Sequence, residues 1–285
     1  MSSAAEAFTT ANPRGLARVV SGMPTQDGAG VKLTRLIGTP QLPDVDPFLM
    51  LDAFGSDNPG DYIAGFPEHP HRGFETVTYM IEGSIAHADN HGGKGLVTDG
   101  GVQWMTAGRG VAHSEMPAQT NGRMFGFQLW INLPAKEKMR APWYADIPAS
   151  ATPSFTVGDA QVKLIAGEWN GYKGPGPERT TAPFLADVTL APNAHAGFPL
   201  PEGHSGFVYV FAGALRVGGT AVGTGHVGVL SDGGLLSPSA GTDGARFLVV
   251  AGKPLHEPIA KYGPFVMNTA AEIRQAILDY QSGRF

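Results

Sequence analysis

In the stretch GFPEHPHRGFETVTYMIEG, His69 and His71 stand one residue apart with Pro70 wedged between them. On a strand, residues i and i+2 face the same way, roughly 6.5–7 Å apart. The two imidazoles therefore aim into one space. Pro70 has no N–H to give a sheet ladder, which places the pair on an edge strand or at a strand's first residues. A second i, i+2 pair, His113 and Glu115, lies in VQWMTAGRGVAHSEMP, 42 residues beyond His71. That gap holds enough chain for a few antiparallel strands to bring the pairs face to face. Three imidazoles and one carboxylate would then converge on rigid strand backbones, as precise ligand geometry requires. Such a donor set suits iron(II), manganese, nickel, copper or zinc, and is ill-suited to magnesium or calcium. Four protein ligands on a six-coordinate metal leave two positions open for a bidentate substrate or dioxygen, whereas zinc is more often closed and structural. Taken singly, each histidine reads as a turn or surface residue. The pairing of HxH with HxE, both flanked by glycine, makes a metal centre the expectation.

The elements that must hold these residues are strands. Glycine (40) and proline (23) make up roughly a fifth of the 285 residues, against about 12 per cent in average usage, and they are spread throughout. Period-two alternation recurs in short segments bounded by Gly, Pro, Asn or Asp, among them VKLTRLI, FETVTYMIEG, VQWMTA, MFGFQLWINL, FLADVTLAP and ARFLVVAGK. Helical periodicity is clear only in TAAEIRQAILDYQSGRF, where Asn268 or Thr269 can cap and Ile273, Ile277 and Tyr280 recur at helical spacing. The strand segments form two sets, and the proline-rich LPAKEKMRAPWYADIPASATPS between them reads as a linker. The expected organisation is a first domain over 1–134, a linker over 135–160, and a second domain over 161–285 ending in a helix. A weak echo between Thr78–Gly83 and Val208–Gly213 suggests one β-barrel unit used twice.

Composition excludes several classes. Without cysteine, disulfides, iron–sulfur clusters and Cys-zinc sites are all ruled out. A net charge of −5 with no basic block argues against direct nucleic-acid contact. No run approaches 18 apolar residues, so no membrane span is expected, and MSSAAEAFTTANPRG shows no leader pattern. A cytoplasmic monomer is the default expectation.

These residues also carry a resemblance. GFPEHPHRGFETVTYMIEG resembles the first cupin motif: a glycine, HxH, a glutamate four residues on (Glu75), and a closing glycine (Gly83). GGVQWMTAGRGVAHSEMP resembles the second, with Gly108, Gly110 and His113 as its core. The wording HPHRGFETVTY, DGGVQWMTAGRGVAHSEMP and GPFVMNT…EIRQAILDYQSGRF is similar to the pirin family over nearly the whole chain. The resemblance implies an all-β bicupin: two antiparallel β-barrel (jelly-roll) domains with a short C-terminal helix and a metal only in the first. It implies iron, held at His69, His71, His113 and Glu115, with other divalent transition metals open to the same donors. In generic cupins the glutamate after HxH is the ligand. The pirin pattern passes that role to Glu115, leaving Glu75 as a structural residue or a partner of a liganding imidazole. The second half supports the asymmetry, since PEGHSGFVYVFAGAL carries His204 but no HxH, and no HxE follows.

The activity that the resemblance implies is an iron-dependent dioxygenase acting on a flavonol such as quercetin, with Glu115 accepting the hydroxyl proton. The alternative is a non-enzymatic, redox-sensing regulator whose iron state alters a surface that a protein partner recognises. Arg72 and Arg109 flank ligand positions and suit either an anionic substrate or a carboxylate partner. His87 and His91 read as loop residues.

Overall fold

The computed structural model describes residues 12–285; residues 1–11, which the leader expectation mainly concerns, lie outside the described residues. By contacts the chain divides into two units. One comprises Met23–Ala151 and Leu255–Phe285, the other Met1–Gly22 and Thr152–Pro254. The grouping differs from a simple division into halves. The C-terminal helix belongs with the histidines, and the stretch read as a linker supplies an edge strand, Trp143–Ile147, to the first unit.

The histidine-bearing unit is built on two sheets. Its strands are β1 (Met23–Asp27), β2 (Val31–Ile37), β3 (Phe48–Ser56), β4 (Phe66–His71), β5 (Phe74–Glu82), β6 (Ile85–Asp89), β7 (Lys94–Val97), β8 (Val102–Thr106), β9 (Val111–Pro117), β10 (Met124–Asn132), β11 (Trp143–Ile147), β12 (Ala260–Tyr262) and β13 (Phe265–Met267). Seven form a sheet in the order β11-β8-β5-β10-β3-β2-β1, and four form a second in the order β4-β9-β6-β7. Neither sheet closes on itself. The barrel is two facing open sheets, whose inward side chains meet across the interior, as Thr78 of β5 does with Glu115 of β9. β4 is an edge strand, which is where Pro70 can be accommodated.

In β5 the period-two rule sorts neighbours onto opposite faces. Phe74, Thr76 and Thr78 turn inward with Gln128 and Trp130 of β10, while Glu75, Val77 and Tyr79 turn to the other face. Glu75 is fully buried there and accepts a hydrogen bond from the Thr106 hydroxyl, 2.5 Å. It lies on the face of β5 opposite Thr78, which favours the structural alternative.

After β12 and β13 the chain ends in α1 (Ala270–Gln281). Thr269 caps it by accepting from the Glu272 amide, and the Glu272 carboxylate reaches back to the Asn268 amide, a close relative of the capping box. Ile273 and Ala276 are buried against Phe265 and Met267, while Tyr280 stays exposed.

The second unit centres on a seven-strand path from Ser154–Val157 to Leu16–Ser21, with Thr220–Gly223 paired beside it. Its core is apolar throughout, with Val162, Leu164, Phe184, Phe198, Val208 and Phe247 among the side chains that fill it. Among the described residues, no helix is long and apolar enough to cross a membrane.

Candidate metal centre

β4 and β9 lie side by side and antiparallel, with His113 directly opposite His69. The i, i+2 rule carries His71 onto the same face. Three ring centroids stand 4.7 Å (His69–His71), 4.5 Å (His69–His113) and 5.1 Å (His71–His113) apart. One nitrogen from each ring lies within 4.8 Å of the others, and this is the one such ligand group among the described residues. Between His113 and Glu115 the β4–β9 register slips, so that Glu115 stands opposite Phe66 on one side and His87 on the other.

Electrostatics prepares these rings for a cation. His71 and His113 are almost fully buried, and neither ring nitrogen of either has a hydrogen-bond partner. The Pro264 carbonyl lies close enough to favour protonation of His71 slightly, but not in hydrogen-bonding geometry. Burial, then the neighbouring imidazoles, pushes the His71 pKa well below its ordinary value. Burial brings His113 down to about 4, against an opposing pull from Glu115. Both rings are thus neutral near pH 7, with lone pairs available. Buried polar atoms normally find partners, and four orphaned ring nitrogens side by side fit a metal ion. His69 is half-buried, and its Nδ1 sits 2.8 Å from the Pro67 carbonyl. That contact makes Nδ1 the protonated nitrogen and leaves Nε2 as the free donor, the usual way a liganding histidine is oriented.

Glu115 is buried but stands outside the tight imidazole group. Its Oε1 accepts from the Thr78 hydroxyl at 3.0 Å, and its Oε2 faces the Gln128 amide nitrogen at 3.4 Å. The Thr78 hydroxyl also makes a short contact with the Gln128 side-chain oxygen. Neither Thr78 nor Gln128 is marked in the sequence. Each sits inside an apolar alternation, and only the pairing of β5 with β10 reveals that both face the histidines. These residues open onto a cavity of about 780 Å³, lined by His69, His71, Thr78, Glu115, Gln128 and Trp130, with Met50, Phe54, Phe66 and Ile85 as apolar wall. Phe74 and Trp130 pack edge-on against His71 at 5.1 and 5.3 Å.

The family-model descriptions Pirin and Pirin C-terminal cupin domain match residues 30–131 and 185–285, together well over half of the chain. Human pirin is 40% identical over 264 residues, covering 90% of this chain and 89% of its own. The chain belongs to the pirin family. A Pseudomonas aeruginosa relative named "Putative quercetin 2,3-dioxygenase" is 50% identical over 271 residues, covering 92% of this chain and 95% of its own. The crystal structure of quercetin 2,3-dioxygenase from Acinetobacter baumannii matches with a TM-score of 0.89 at 35% identity, covering 96% of this chain and 98% of that one. The bicupin architecture follows from the two family matches and this structural likeness.

In this pirin-family chain the C-terminal tail holds both histidine-bearing segments. Arg72, next to His71, is buried; its Nε donates to the Arg109 carbonyl and its Nη1 to Asp279 Oδ2 at 2.7 Å. Arg72, Arg284 and Gln275 hold the Asp279 carboxyl far below the usual carboxylate range. The Arg72 guanidinium also stacks 4.3 Å from the Phe285 ring centroid. Asn90 links the tail to β9, donating to the Phe285 carbonyl and accepting from the Ala112 amide, both at 3.0 Å. Arg72 therefore has a carboxylate partner and is committed to structure. Arg109 lines a separate cavity of about 220 Å³ with Asp89, Trp143 and Tyr144. His87 lies on a strand and not in a loop: it is buried on β6, 3.4 Å from Asp146. Gly73, just after the HxH, has φ +91°, and a Cβ there would fall 1.9 Å from the Val266 carbonyl oxygen. Only glycine permits this close approach of the tail.

Proposed function

We propose that the cavity is the active site of an iron-dependent dioxygenase that cleaves a flavonol such as quercetin. One observation carries the reading: the imidazoles of His69, His71 and His113 gather beside an open, partly apolar cavity of about 780 Å³, and the ring nitrogens of buried His71 and His113 have no hydrogen-bond partner. The names of the Pseudomonas and Acinetobacter relatives support the substrate class. His69, His71 and His113 would hold the metal, and Glu115 is the carboxylate we assign to the donor set. When bound, the ion acts as a Lewis acid on the flavonol's hydroxyl and carbonyl oxygens and supplies redox chemistry toward dioxygen.

The chain's own residues do the rest. Glu115 accepts the flavonol hydroxyl proton as general base. Thr78 has one hydroxyl proton and faces two oxygens, Glu115 Oε1 and Gln128 Oε1, so with the carboxylate ionised one of those contacts lacks a proton. Turning the Gln128 amide over moves the deficit to the other carboxylate oxygen without removing it. A proton arriving on Glu115 completes the ring of hydrogen bonds. Trp130 and Phe66 offer flat apolar surface to an aromatic ligand and keep water from it.

The test is to load the protein with iron, add quercetin in air, and follow loss of the flavonol absorbance together with release of carbon monoxide. Turnover is expected in the native protein and is lost in His71→Ala, whose circular dichroism stays native. Absence of turnover from fully iron-loaded protein refutes the reading. Ferrous and ferric forms that then differed in binding a protein partner would support the regulator instead.

A further inference from the structure

Two cations line the large cavity, Arg35 and Lys261, and they are differently engaged. Arg35 is ion-paired: it holds Asp52 through two bonds of 2.9 and 2.7 Å and Asp27 through a third of 2.8 Å. Lys261, on β12, has no carboxylate within ion-pair distance among the described residues. Asp44 and Asp52 act on it only at longer range, and Arg35 repels it. Its Nζ lies 5.2 Å from the centroid of the Trp130 ring, and that same ring packs against His71. The indole thus contacts both an imidazole and an ammonium that has no ion-pair partner among the described residues. The remaining carboxylates lining the cavity are Glu68, on the edge strand β4, and Glu115, which belongs to the metal centre.

We propose that Lys261 is a specificity-determining residue: its ammonium binds a second, anionic group on a planar aromatic ligand whose chelating oxygens face the imidazoles. The proposal rests on the cavity being the ligand site, as read above. A flat ligand lying along Trp130 spans from His71 toward Lys261, because both contact that one ring. The ammonium is already partly stripped of water, since burial, followed by repulsion from Arg35, lowers its pKa. An anion placed there regains charge pairing that the protein does not itself supply. The ligand class is an aromatic enol bearing a carboxylate, or an ionised phenol, remote from its chelating end. The competing role for Lys261 is a long-range counter-charge to Asp44 and Asp52 with no ligand contact.

The test compares 3-hydroxyflavone with its 4′-carboxylate, titrated anaerobically into the metal-loaded protein and followed by flavone fluorescence. Without oxygen there is no turnover, so binding is read separately from catalysis. The native protein is expected to bind the carboxylate about fivefold more tightly than the neutral flavone, a preference that shrinks in high salt. Lys261→Met removes the ammonium while keeping a flexible apolar side chain, and is expected to bring the two dissociation constants within about twofold; Lys261→Arg retains the preference. Equal binding of the two probes by the native protein overturns the role of Lys261 and leaves the cavity as the ligand site. A preference that survives in Lys261→Met overturns it equally. Failure of both probes to bind overturns this proposal together with the reading it rests on.

Discussion

Lys138 is nearly inaccessible to solvent, yet among the described residues it touches no carboxylate. Its ammonium instead donates to the Gly73 carbonyl at 2.7 Å, the Asn132 side-chain oxygen at 2.6 Å and the Val266 carbonyl at 3.0 Å. Those acceptors belong to the start of β5, the end of β10 and the C-terminal hairpin, so one side chain ties the tail to the segment that follows His71. Lys138→Met retains most of the volume and removes all three donors. A buried acceptor left without a partner costs about 1–3 kcal/mol. Against three such losses stands the relief of no longer burying a charge. The net destabilisation expected is about 3 kcal/mol, the three acceptor losses less that relief. Urea unfolding of the metal-free protein measures it without the stabilisation that a bound ion adds. The pH dependence adds a second check. Burial lowers the Lys138 pKa to about 8 from 10.5, so between those values the unfolded chain binds a proton that the folded one does not. Stability from this group therefore rises with pH across that window, and the gap between native protein and Lys138→Met widens from pH 8 toward 10. A loss below about 1 kcal/mol, or a gap that narrows with rising pH, would show that Lys138 is not the tie described.

Two further outcomes follow from the same geometry. Thr78→Val deprives Glu115 Oε1 of its hydroxyl donor, and kcat for flavonol cleavage is expected to fall about tenfold while metal content by elemental analysis and KM hold steady; an unchanged kcat contradicts a positioning role for Thr78. Asp279→Asn strips the buried Arg72 of its carboxylate and is expected to destabilise by about 2 kcal/mol in urea, the scale of a hydrogen bond to a charged group. Because Asp279 titrates below the usual carboxylate range when folded, its contribution is present above about pH 4 and is lost as the pH falls. Native protein and variant should therefore converge in acid, and parallel stability curves through that range would refute the pairing.

Reading alternation alone was enough to place strands at the sites of β2, β5, β8 and β10, and to find the helix behind Thr269. It was enough, too, to point His69 and His71 one way and to put Pro70 on a sheet edge. These are local matters: side-chain direction along a strand has period two, and a proline lacks its N–H wherever it sits. The same rule could have shown that Glu75 and Thr78 cannot share a face, but not which of them faces the cavity beside the imidazoles.

Only tertiary structure decided that. The direct opposition of His113 to His69, and the slip that carries Glu115 away from the imidazole group toward Thr78 and Gln128, depend on how β4, β5, β9 and β10 pair across long separations. Lys261, Asp279 and Lys138 lie far along the chain from the HxH or in a stretch that reads as linker. They reach the neighbourhood of the site because the tail folds back through hydrogen bonds from Val266 to Arg72 and from Lys138 to Val266. The sequence by itself determined which donor types stand at which spacing, since these are written residue by residue. Register, burial and the returning tail are cooperative properties of the packed chain, and those set which donors meet and what else faces the cavity.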